Sequence, residues 1–181
     1  ALMVDTPNDD TQTREIVEFI KDSLRVNATQ VIVTHYHSDN LGGLEYLHSR
    51  GVRSIAGKLT EAKCRQLRLP IPGTTFTAQL DFIFEGEPVS CRYFGGGHTE
   101  DNTVVWFPRT RVLFGGCLIR SRNSTSLGNT REAVPDEWDT TVETIRRELP
   151  DIRYVIPGHG MHGDSVLLDH TIRLVRENRL Q

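Results

Sequence analysis

Four times in this 181-residue chain, a side chain able to bind a metal follows an apolar, extended-looking run and sits beside glycine. The stretches are VIVTHYHSDNLGG, with His35, His37 and Asp39; FGGGHTEDN, with His98; FGGCLIR, with Cys117; and YVIPGHG, with His159. A chain that carries ligands at separate strand ends is constrained to a fold in which those ends meet. Glycine lets the backbone turn sharply and approach a ligand closely, which such convergence requires. His35 and His37 are two residues apart, so in an extended or turn conformation both imidazoles point to one side, and Asp39 continues the alternation. Imidazole and carboxylate suit zinc. A purely structural explanation needs four coincidences.

The other histidines and cysteines serve as a control. His48 falls on a predicted helix and His170 on the last one, while nothing around His162 aims it; all three read as surface or supporting groups. Cys64, in a helix, and Cys91, within a strand, read as buried inert thiols. Three cysteines are too few for a disulfide framework.

The chain length allows one sizeable domain, 1–181. Hydrophobic residues at 37% and charged residues at 25% are ordinary for a globular protein. A net charge of −3 argues against nucleic-acid binding by phosphate neutralisation. No apolar run reaches the roughly 18 residues of a membrane span, and no charged-then-apolar leader opens the sequence.

Along the chain, Ile16, Val17, Ile20 and Leu24 recur at helical spacing and predict a helix over 11–26. QVIVTH reads as a buried strand, 40–50 as a helix opened by Asp39 or Asn40, VRSIAG as a strand, and Thr60 as the cap of a helix over 61–67. LRLPIPGTTF is a loop. From Thr75 to Phe114, runs at hairpin spacing predict an antiparallel meander. A helix from Asp136 or Glu137 to Glu148, the strand RYVIPG and a last helix over 167–178 complete an α/β domain.

His35-x-His37-x-Asp39, Gly97-His98-Thr99, Gly116-Cys117 and Gly158-His159, in this order, closely resemble the metallo-β-lactamases with a three-histidine zinc site beside an Asp-Cys-His site. SLGN at Ser126 to Asn129 and DTPND at Asp5 extend the resemblance to nearly the whole chain. It implies a four-layered α/β/β/α sandwich and two zinc ions. His35, His37 and His98 would hold the first and Asp39, Cys117 and His159 the second, with open positions that mark catalytic zinc. It further implies that a zinc-bound hydroxide hydrolyses the β-lactam amide of penicillins, cephalosporins and carbapenems. Asp39 would orient the nucleophile, and Asn129 would stabilise the carbonyl oxygen and bind substrate. Arg120 would bind the substrate carboxylate where many members carry lysine, with Arg122 as the alternative. Asn40 and Asp5 would support the ligands. The family is exported, which implies the periplasm or secretion.

Two rivals use the same residues. Other hydrolases of the superfamily, such as glyoxalase II or ribonuclease Z, usually place a histidine directly after the motif's aspartate and an aspartate to bridge the metals; here those places hold Asn40 and Cys117. A zinc-stapled binding module would close its site with four protein ligands, whereas six divide here into two open sets. By the same resemblance, ALMVDTP corresponds to a later strand of the first sheet. The chain is therefore expected to lack the N-terminal strands, leaving one side of that sheet bare or covered by the missing segment as a separate piece.

Overall fold

The structure, a computed structural model, describes residues 1–179. Two compact units divide after Thr77, each built on its own sheet.

The first sheet holds β1 (Leu2–Val4), β2 (Gln30–Val33), β3 (Arg53–Gly57) and β4 (Thr74–Phe76), paired in that order and all parallel. Parallel neighbours need a crossover. Helices α1 (Asp10–Leu24), α2 (Ser38–Leu41), α3 (Leu44–Ser49) and α4 (Lys58–Leu67) lie in those connections. Asp9 starts α1 by accepting from the Gln12 N–H at 2.8 Å. Val17 and Ile20 of α1 pack against a buried cluster that includes Val31, Val33, Leu44, Leu47 and Cys64. The alternate residues Ile32 and Ile55 are buried too. Burial on both faces is why these strands read as continuous apolar runs.

Several expectations change. The helix predicted over 40–50 is two short helices broken at Gly42 and Gly43, and a Cβ at Gly43 would overlap the Thr13 hydroxyl of α1. α2 begins at Ser38 with His37 in the cap position, so Asp39 and Asn40 lie inside it rather than opening it. Thr60 does not cap α4, which starts at Lys58; it is buried within the helix. Finally, Thr74–Phe76 does not join the meander. It pairs parallel to β3, and the chain changes sheets at Thr77 and Ala78 with no glycine or proline to announce it.

In the second unit β5 (Gln79–Phe84), β6 (Glu87–Tyr93), β7 (Thr103–Phe107) and β8 (Val112–Gly116) form the predicted antiparallel meander. Glu85 and Gly86 close its first hairpin with φ of 47° and 82°, the two positive values that a tight hairpin turn demands. After α5 (Pro135–Glu148), β9 (Tyr154–Pro157) adds in parallel to β8, and α6 (Val166–Arg179) packs beside α5. Leu113, Trp138, Val142, Ile145, Leu168 and Val175 build the core here. Asp139 of α5, nearly buried, receives Arg176 and Arg179 of α6, which hold its carboxyl below the usual carboxylate range against desolvation. No described helix is long and apolar enough to cross a membrane.

Trp138 is fully buried and donates its indole N–H to the Leu118 carbonyl at 2.8 Å. Trp138→Ala leaves both a cavity and an unpaired carbonyl, so it should cost at least about 3–5 kcal/mol in urea unfolding. A loss below about 1 kcal/mol, the scale of an ordinary surface change, would contradict this packing.

Candidate metal centre

In the first unit, β2 ends at Val33 and the chain turns into α2 within a few residues. That turn carries His35, His37 and Asp39, whose donor atoms all lie within 4.8 Å of one another. The two imidazole rings meet edge-on with centroids 4.7 Å apart. His35 is buried, while His37 and Asp39 are half-buried, so this set faces partly into the protein and partly outward.

The backbone beneath is tied to the turn after β1. Asp5 receives the Thr34 N–H at 2.7 Å, the Thr34 hydroxyl at 2.8 Å and the Asn40 amide at 2.6 Å. The residue as a whole is half-exposed, but its carboxyl is withdrawn from water. Desolvation pushes that carboxyl up to about 7, against these three donors, which pull it down.

In the second unit, His98, Cys117 and His159 stand on three loops. The β8–β9 pairing shifts register between Phe114 and Gly116, a bulge that swings the chain out of the sheet just before Cys117. The buried Cys117 Sγ lies 3.4 Å from His159 Nε2, and within 4.8 Å of a His98 donor nitrogen. His98 is buried with its ring 6.0 Å from the Trp138 ring. His159 is exposed. Gly158 permits this closeness: a Cβ there would come 2.5 Å from Cys117 Sγ and 2.7 Å from its backbone nitrogen.

The segment after Cys117 is held by supports that the motif reading missed. The Arg120 N–H donates to Thr171 Oγ1 at 2.9 Å. Arg173 donates to His170 Nδ1, which leaves the proton on Nε2 to donate to the Ser124 carbonyl at 2.9 Å. His170 is therefore a buried supporting group, as is half-buried His48, which meets Ser54 Oγ at 2.7 Å. His162 is exposed. Cys64 and Cys91 are buried, and burial pushes the Cys91 thiol up to about 12, far from thiolate chemistry. A signal for Thr171 and His170 existed: both are polar positions among the apolar ones that face inward on α6.

The remaining candidates follow Cys117 in sequence. Arg120 is half-buried with its guanidinium beside Gly128, and its Nε has no hydrogen-bond partner among the described residues. Burial lowers its pKa, and Cys117 opposes that. Arg122 is exposed. Asn129, also exposed, turns its amide oxygen to the Arg131 N–H at 3.2 Å.

The first unit thus gathers two imidazoles and a carboxylate, and the second sets the Cys117 thiol close to His159 and, separately, to His98; these donor types suit zinc. Gly158→Ala should force Cys117 and His159 apart. It is expected to lower the zinc retained after dialysis while leaving the circular dichroism unchanged; full retention would show that their spacing is not set by Gly158.

Residues 1–159 match the profile of the metallo-beta-lactamase superfamily. A metallo-beta-lactamase type 2 of Bacteroides fragilis is 40% identical over 177 residues, covering 98% of this chain and 71% of its own length. One of Bacillus cereus is 37% identical over 97% of this chain and 68% of its own. The solved structure of a metallo-β-lactamase from Pontibacter korlensis superposes with a TM-score of 0.94 at 33% identity, covering 97% of this chain and 81% of that one. With its two sheets, their helices and metal-capable side chains at the strand ends, this chain has the metallo-β-lactamase fold and belongs to that superfamily of metal-dependent hydrolases.

Proposed function

We propose that this protein hydrolyses the amide of the β-lactam ring in penicillins, cephalosporins and carbapenems. In this reading His35, His37 and His98 hold one zinc ion, and Asp39, Cys117 and His159 hold a second. The observation that carries it is the buried thiol of Cys117 set 3.4 Å from His159 Nε2. A thiolate at that place, with Asn40 after the motif's aspartate, favours a β-lactamase over the thioester and phosphodiester hydrolases that resemble it. The relatives named metallo-beta-lactamase type 2 support the same substrate class.

Bound zinc supplies a Lewis acid and lowers the pKa of a water to about 7. Asp39 orients that nucleophile toward the ring carbonyl. Asn129 already commits its amide oxygen to its own loop, so its NH2 is the end that donates to the carbonyl oxygen as charge develops there. A well-placed donor of this kind contributes about 2.7–4 kcal/mol. Arg120 binds the substrate carboxylate: its buried Nε lacks a partner among the described residues, and a guanidinium can grip a carboxylate with two hydrogen bonds. Exported to the periplasm or outside the cell, such an enzyme would protect its host from β-lactam antibiotics.

The test is nitrocefin hydrolysis with and without a chelator. Turnover that stops on chelation and returns with zinc supports the reading; zinc uptake without turnover would leave only a stapled binding module. Cys117→Ser should retain about one zinc where the unaltered protein holds two, with turnover sharply reduced, because a hydroxyl is a poor substitute for a soft thiolate. Two tightly held zincs and near-normal turnover would overturn the ligand assignment. Arg120→Glu should mainly raise KM with kcat less affected, as loss of an interaction made equally in ground and transition states does. Unchanged KM across several β-lactams would move that role to Arg122.

A further inference from the structure

We propose that the second sheet carries a separate ligand site on β5 and β6, which takes a small zwitterion, an aromatic α-amino acid. The site lies wholly within the second unit and shares no residue with the candidate metal ligands. It arises where the helical cover of the sheet stops. The buried cluster under α5 and α6 takes Val104, Trp106, Leu113 and Val155 from β7, β8 and β9, and no apolar residue of β5 or β6 among the described residues. On that same face the register sets Asp81 opposite Ser90 and Ser90 opposite Trp106, and the alternation of the strands adds Ile83, Pro88 and Arg92. These six residues line a cleft of about 370 Å³. Small-molecule sites usually measure about 300–1,000 Å³.

Charge selects the ligand. Asp81 and Arg92 present opposite charges to one cleft, yet among the described residues neither forms an ion pair with the other or elsewhere. Arg92 commits one donor, its Nε, to Ser90 Oγ at 3.0 Å. Ser90 is buried, so this bond aims the guanidinium and leaves the N–H groups of its two terminal nitrogens for a ligand. Asp81 accepts the Gln79 amide on Oδ2 and keeps Oδ1 open. A carboxylate fits the guanidinium fork with two parallel hydrogen bonds, and an ammonium fits Asp81. A ligand with only one of these charges is repelled by the other residue. In an α-amino acid the two charged groups share one carbon, and Asp81 and Arg92 are diagonal neighbours on adjacent strands, so one small molecule can meet both. The rest of the lining calls for a ring. Ile83 is 67% exposed, and an aromatic side chain set among Ile83, Pro88 and Trp106 takes their apolar surface out of water.

The experiment follows the two indole N–H signals of the full chain by heteronuclear NMR. Trp106 reports on the cleft, while Trp138, fully buried and bonded to the Leu118 carbonyl, is the reference. Phenylalanine at millimolar concentration should shift the Trp106 signal saturably and leave that of Trp138 in place. Phenylalanine amide lacks the carboxylate and N-acetylphenylalanine lacks the ammonium; each should bind about ten-fold or more weakly, the scale of a hydrogen bond to a charged group. Each substitution should then erase one of these preferences. Arg92→Gln should bind phenylalanine no more tightly than its amide, and Asp81→Asn should bind it no more tightly than its N-acetyl form. Asp81 is exposed and Arg92 half-buried, so neither change disturbs the core.

An unmoved Trp106 signal overturns the inference, as does equal affinity for the three compounds. Phenylalanine binding that both substitutions leave unchanged also overturns it, because an amino acid can chelate a metal ion through its amine and carboxylate, and such binding would not depend on Arg92 or Asp81.

Discussion

The parallel pairing of β8 with β9 decides whether the second unit has a donor pair at all. Cys117 and His159 are 42 residues apart in sequence, and what brings them together is that both follow the same ends of neighbouring parallel strands. The Gly158 N–H donates to the Gly116 carbonyl at 2.7 Å, which joins the two loops at their roots. The bulge before Cys117 then turns the thiol out of the ladder, and Gly158 leaves it space. Around this pair the supports are graded. Trp138 holds the Leu118 carbonyl, Thr171 the Arg120 N–H, and His170 the Ser124 carbonyl. Helices α5 and α6 thus do more than cover the sheet: they fix the segment that leads away from the thiol.

The first unit solves the same problem by another route. Its donors lie within one short segment, His35 to Asp39, so proximity is local and orientation is the difficulty. A short turn with imidazoles at alternate positions has many accessible conformations, and ordering them costs conformational entropy. The hydrogen bonds from Thr34, Asn40 and Gly43 to the turn at Asp5 and Thr6 select among them.

Much of this was legible because it is written in residue types. The β-branched and apolar runs, the glycines at strand ends and the histidine spacing each follow from a local requirement, so β2, β3, the meander and the candidate ligands could be read directly. What escaped was decided by partners distant in the chain. Nothing in TTFTAQLDF says that Thr74–Phe76 pairs with β3 while Gln79 begins another sheet, since both halves have the same β-prone character. The break at Gly42 and Gly43 reflects contact with Thr13 of α1, a neighbour that the helical periodicity of 40–50 does not contain. Thr60 looks like a cap from its residue type, but α4 begins two residues earlier, directly off β3. Sequence alone leaves His170 a surface or supporting group, because it does not show whether the last helix turns it inward.

The division at Thr77 also orders events in time. Every strand and helix of the first unit is encoded before residue 78, so its parallel sheet can assemble while the rest of the chain is still being synthesised from the N-terminal end. The second unit has no such freedom. Its hairpins close locally, but β9 and α6 are the last of the described elements to be made, and β8 remains an open edge until β9 arrives. During that interval Cys117 is a thiol without the neighbouring histidine, beside an unpaired strand of the kind that recruits other chains. Completion of the thiol-bearing half therefore follows that of the first unit, and it waits on the strand that brings His159 beside Cys117.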